Sequence, residues 1–309
     1  MFALTGGIAK TTDQKLDRFL QAHAEAGRIA VFDCDGTLIK GDIGESMLYH
    51  QLENFLVRVS PAMIWPDHPK GEELSNLYES LSDLPADKAI HDRRFTSLAD
   101  MMLGWYFDQL AEGKTRKACS DIVRLFTGFT SADLQETARA TLRKELGSPT
   151  GVWTLGTQVL PRGIRYIRET VDLLKLLQGR GFEIWVISGS NRWSVEAVCE
   201  PLGVRPDRII GIDLVDEGGV LTDEIKEPVP VLDGKVAALR ERVAGKPLIV
   251  TSDSTYDIPL FNYSSGLRIL VHSTNDQDFF KVGKITRNET WIVFESPSLM
   301  EQNAWPMQQ

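Results

Sequence analysis

Three things are scarce in these 309 residues, and each closes off a class of function. Cysteine occurs three times, as Cys34, Cys119 and Cys199, too few and too scattered for a disulfide framework or a zinc cluster. Positive charge is in deficit. With 34 Lys and Arg against 43 Asp and Glu, the formal net charge is -9, which argues against a nucleic-acid partner because a duplex-binding face needs a cationic surplus. Apolar runs are short, none nearing the roughly 20 residues of a membrane-spanning helix. The opening residues Met1 to Gly7 also lack the basic start and sustained apolar core of a signal peptide. A cytoplasmic enzyme without membrane or nucleic-acid partners is therefore expected. A hydrophobic share of 42% is ordinary for a globular protein, and the length allows a full core plus a second module.

What the chain does have is a set of short buried strands that end in polar turns. The run over 28–32 reads as a strand and leads into Asp33, Asp35 and Gly36. Residues two apart on an extended backbone point the same way, so both carboxylates project from the strand end. Two like charges so placed destabilise the fold unless a cation, a proton or a substrate compensates them. A second strand, 182–187, meets Ser188-Gly189-Ser190-Asn191 and a helix over 193–202, where a hydroxyl and free N–H groups form an anion seat. A third, 247–251, ends in Ser252-Asp253 with Asp257 just beyond, and two more strands are expected over 266–271 and 290–294. Asp233-Gly234-Lys235 opens a helix, a helix spans 163–178, and 208–213 with 220–223 reads as a hairpin around Gly218-Gly219. From 45 to 160 the patterns are helical throughout, with helices at 71–81, 95–111, 115–126 and 131–146. The fold class is α/β, with 1–44 and 161–309 forming the core and 45–160 an inserted all-helical cap, since a structureless insertion of that length is improbable.

Asp33-x-Asp35-x-Thr37, Ser188, Lys235 and Asp253 with Asp257 together resemble, in order, the four motifs of the haloacid dehalogenase superfamily. The resemblance implies a Rossmann-like parallel sheet and a phosphatase. Asp33 is then the nucleophile and Asp35 the general acid/base. Ser188 and the Gly189 amide hold a phosphoryl oxygen, and Lys235 neutralises charge, with Lys226 as a rival. Mg2+ is implied as cofactor, bound by Asp33, the main-chain carbonyl of Asp35 and Asp253, with Asp257 in support. Ser252 stands where the family usually has Gly. An Asp two residues after the nucleophile favours phosphatase over dehalogenase, and a cap between the first two motifs marks the branch that includes the phosphoserine phosphatases.

The substrate is expected to be a small-molecule phosphate monoester. In the phosphoserine phosphatases a Glu nine residues past the nucleophile binds the substrate ammonium; the ungapped equivalent here is Asp42, with Glu45 one turn beyond. Both residues equally suit helix capping at an N-terminus. The segments 40–46 and 190–197 are similar to a phosphocholine phosphatase-like subgroup, for which Trp65, Trp105, Tyr106 and Trp153 could contribute to a cation cage, although aromatics so placed are more often cap core. Arg93 or Arg94 would instead answer the carboxylate of phosphoserine. An amino-alcohol phosphate leads. A non-catalytic phosphate-binding protein of the same fold, or a phosphotransferase or mutase, stays as the alternative. Gly41, Gly44 and the glycines of 156–163 are expected hinges.

Overall fold

The computed structural model describes residues 10–23, 28–272, 279–281, 288–295 and 297–301. After helix α1 (Lys10–Ala22) the chain enters β1 (Ile29–Phe32), the short β2 (Ile39–Lys40) and α2 (Ile43–Glu53). Six helices follow or extend the excursion: α3 (Pro61–Ile64), α4 (Gly71–Ser82), α5 (Ala86–Ala89), α6 (Arg93–Ala111), α7 (Thr115–Arg124) and α8 (Ser131–Gly147). The excursion closes with β3 (Gly151–Leu155) and β4 (Gln158–Arg162), and the return runs through β5 (Arg165–Tyr166), α9 (Arg168–Gly179), β6 (Glu183–Asn191) and α10 (Arg192–Cys199). Then come β7 (Ile209–Ile212), β8 (Leu214–Glu217), β9 (Val220–Ile225), α11 (Gly234–Arg242), β10 (Ile249–Ser252), α12 (Ile258–Tyr263), β11 (Leu267–His272) and β12 (Trp291–Glu295).

The main sheet has the order β12-β11-β10-β1-β6-β7, and every pairing is parallel. Such a sheet is covered on both faces, which is why its strands read as unbroken apolar runs. Along β1 the side chains alternate: Ala30 and Phe32 join the cluster with Val171 and Leu174 of α9, while Val31 joins Leu239 of α11 and Phe261 of α12. Chain order runs outward from β1 through β6 and β7, then crosses to β10 on the other side. That reversal opens a crevice at the carboxyl edge of β1, where open α/β sheets take their ligands.

Three sequence expectations change. The insertion is helical up to Gly147, but it is not all-helical, since β3 and β4 form a hairpin over Gly151–Leu155 and Gln158–Arg162. The hairpin expected at 208–223 is displaced: β7 belongs to the main sheet beside β6, and β8 pairs antiparallel with β9. The helix expected from 163 starts at Arg168, because Arg165 and Tyr166 first pair with Lys40 and Ile39. Arg165 is buried and donates to the carbonyls of Glu145, Leu146 and Ser148, satisfying the open end of α8. Among the described residues, no helix is long and apolar enough to cross a membrane.

Candidate active site

Because β10, β1 and β6 are neighbours, the turns that leave their carboxyl ends share one cleft of about 430 Å³. Asp33, Asp35, Ser188, Gly189, Lys235, Asp253 and Asp257 all line it, and Lys226 does not. Lys226 lies on the surface, paired with Asp213.

Lys235, on the first turn of α11, is 7% exposed and sits between two carboxylates. Its Nζ lies 2.8 Å from Asp33 Oδ1 and 2.8 Å from each carboxylate oxygen of Asp257, which is fully buried. Burial opposes the charge on Lys235, but Asp257 and Asp33 outweigh it and hold the ammonium above its ordinary range. Asp33 moves upward: burial is the main cause, Lys235 counters it, and the charges of Asp257 and Asp253 add to it. Lys235 engages Oδ1 and leaves Oδ2, from which the Thr37 hydroxyl lies 3.5 Å away.

Thr37 also donates to Asp253 Oδ1 at 3.1 Å, so one hydroxyl joins the two carboxylates. Burial pushes Asp253 up to about 6. Gly36 has φ +73°, and a Cβ there would stand 2.1 Å from Asp253 Oδ2. The turn thus requires glycine twice, for its left-handed backbone and for space. Gly36→Ala is expected to lower stability by about 1–3 kcal/mol through that strain and to swing Asp253 away, weakening turnover; thermal unfolding and phosphate-release rates check both.

Asp35 faces a different set of partners. Its Oδ1 accepts from the Ile43 N–H at 2.8 Å, and its Oδ2 accepts from the hydroxyls of Ser188 at 2.9 Å and Ser190 at 2.7 Å. Burial raises its proton affinity and these three donors lower it.

Asp42 is the N-cap of α2, accepting from the Glu45 N–H at 2.8 Å, and it lines the cleft as well. Glu45 accepts from the phenols of Tyr49 at 2.9 Å and Tyr106 at 3.0 Å. Burial raises both acids, and the Asp35 charge adds to each.

The cation cage does not form. Trp65 donates to the Asp121 carbonyl, Trp105 to its carboxylate, and Trp153 lies under Arg162 and Lys144. Of the four aromatics only Tyr106 lines the cleft. Arg94 is tied to Asp92, and neither Arg93 nor Arg94 lines the cleft. Sequence reasoning also gave no role to three hydroxyls: Thr37, Ser190 and Ser252, the last donating to Asp257 at 2.6 Å. The alternation Ser188-x-Ser190 after a strand was the available signal for one of them.

For a metal, no group of three or more His, Cys, Asp or Glu side chains among the described residues is arranged as a ready-made cage. Mg2+ needs no such cage, since it keeps several waters and is usually bound through one or two carboxylates. Asp33 and Asp253, bridged by Thr37 over a glycine turn, supply hard oxygens of the right kind.

A sequence model of haloacid dehalogenase-like hydrolases matches residues 30–262. The chain belongs to that family. The haloacid dehalogenase fold and the hydrolase class expected from the motifs therefore stand. No curated protein matches the sequence. Among solved structures, a conserved functionally unknown protein from Anaerococcus prevotii superposes with a TM-score of 0.69 at 15% identity, covering 90% of this chain and 91% of that one. A protein of unknown function from Bordetella pertussis gives 0.52 at 15% identity, covering 86% and 97%. These likenesses concern the fold of this dehalogenase-like chain.

Proposed function

We propose that the protein is a magnesium-dependent phosphomonoester hydrolase acting on a small amino-alcohol phosphate. The observation that carries this is the meeting of Asp33, Asp35, Ser188, Lys235 and Asp253 at one cleft, with Lys235 bound to Asp33. Asp33 attacks phosphorus through Oδ2, the oxygen that Lys235 leaves open, and becomes an aspartyl-phosphate. Asp35 gives its proton to the departing alkoxide and takes one from the water that then cleaves the acyl phosphate, releasing inorganic phosphate and regenerating Asp33. Lys235 serves the phosphoryl oxygens, and the Ser188 hydroxyl joins it by turning from Asp35, to which it donates before substrate arrives. Magnesium, when bound by Asp33, Asp253 and the Asp35 carbonyl, offsets the charge that would repel an anionic nucleophile from a phosphate.

The leaving group follows from the remaining walls. Asp42 and Glu45 are anionic, and among the described residues lining the cleft Lys235 is the sole Lys or Arg. That supports a cationic alcohol and gives the carboxylate of phosphoserine no cationic partner besides Lys235 among the described residues. Of aromatic rings, the described residues lining the cleft offer a quaternary ammonium those of Tyr106 and Tyr256. A primary ammonium suits Glu45 better, because it can donate to the carboxylate.

The reading predicts faster phosphate release from phosphoethanolamine than from phosphocholine, with phosphoserine slowest, all abolished by a chelator and restored by magnesium. Equal, feeble rates on the three would discard the ammonium; no magnesium-dependent release even from an aryl phosphate would discard the hydrolase reading.

A further inference from the structure

We infer that Ser190 is a positioning residue for the leaving-group acid, acting through Asp35 rather than on phosphate. This rests on the phosphatase reading above.

The two serines at the end of β6 are not equivalent. Ser188 Oγ donates to Asp35 at 2.9 Å and also accepts the Ser190 N–H at 2.9 Å, so two bonds orient it before substrate arrives. Ser190 Oγ makes the shorter bond to the same carboxylate oxygen, 2.7 Å, and its side chain is nearly buried. A hydroxyl both donates and accepts, so after rotation Ser190 can serve Asp35 with or without a proton. The main-chain N–H of Ile43 on Oδ1 can only donate. Ser190 therefore holds the Asp35 carboxyl in one orientation throughout the proton transfer to the alkoxide.

A second observation comes from the other wall. Gly44 lies in the first turn of α2, where Ala would be the better helix former by about 1 kcal/mol. A Cβ at Gly44 would stand 2.5 Å from Ser190 Oγ and 3.0 Å from its Cβ. Glycine at this position keeps the seat of that hydroxyl clear.

The test compares kcat/KM on two esters of very different leaving-group basicity, an alkyl phosphate and p-nitrophenyl phosphate. A poor alkoxide leaving group needs the proton and a nitrophenolate scarcely does, and general acid catalysis contributes about 10²–10⁴-fold. Ser190→Ala is expected to lose at least about tenfold more on the alkyl than on the aryl ester, with an unchanged melting temperature. Gly44→Ala, which displaces the hydroxyl without deleting it, is expected to give the same split. Equal losses on both esters, or no loss, in an active enzyme would overturn the assignment alone. A wild-type protein inert on both esters would overturn the phosphatase reading, and the assignment with it.

Discussion

Asp33→Asn is expected to keep the fold and lose at least about 10⁴-fold in kcat, the scale on which a missing nucleophile is felt. An amide is close in shape to the carboxylate, and its oxygen can still accept from Lys235 Nζ at the present 2.8 Å. What it cannot do is form a bond to phosphorus through a charged oxygen. Stability should hold or rise. Asp33 is buried, and burial together with the charges of Asp257 and Asp253 already disfavours its ionised form against the pull of Lys235. Removing that charge relieves the crowding, while Lys235 keeps Asp257 as a counter-ion. Phosphate release from an aryl phosphate with magnesium, measured beside thermal unfolding, separates the two effects. Undiminished turnover in a folded Asp33→Asn protein would mean that some other group attacks.

The parts of this site legible in the sequence are those that local chemistry dictates. A strand buried on both faces has to be continuously apolar, so β1, β6 and β10 were visible as runs, and the polar residues that end them marked one edge. Lys235 was recognisable because Asp233-Gly234 precedes it at a helix start. Non-local pairing was harder. Ile209, Ile210 and Ile212 look like one arm of a hairpin because Gly218-Gly219 follows, yet β7 pairs with β6, and the turn needs only Leu214–Glu217 and Val220–Ile225. The hairpin of β3 and β4 lay hidden among Pro and Gly residues that read as helix breakers. The tryptophans take the cap-core reading rather than the cage for another reason. Asp121 is buried and collects Trp105, Gln109, Lys117 and Arg124 on its carboxylate, and nothing in the spacing of these residues announces that hub. An indole needs an acceptor when buried, and the acceptor that wins is set by tertiary packing.

Lys235→Met should be the most damaging single change to the folded state. The methionine fills much of the same volume, so the effect reports charge rather than a cavity. Without the ammonium, Asp257, which is fully buried, and Asp33 are left facing each other with no cation. Breaking a buried pair by removing one partner costs about 3–5 kcal/mol, since the survivor stays desolvated and uncompensated. For a chain of this size that is a fall of roughly 10 °C in melting temperature. Adding Asp257→Asn should recover a large part of the loss, because an amide oxygen can still accept the Ser252 hydroxyl now 2.6 Å away and carries no charge. Activity should not return, for Asp33 and an arriving phosphate would still repel each other without a cation between them. A double variant no more stable than Lys235→Met would show that the buried charges are tolerated by other means. Recovery of turnover in that double variant would remove Lys235 from the chemistry altogether.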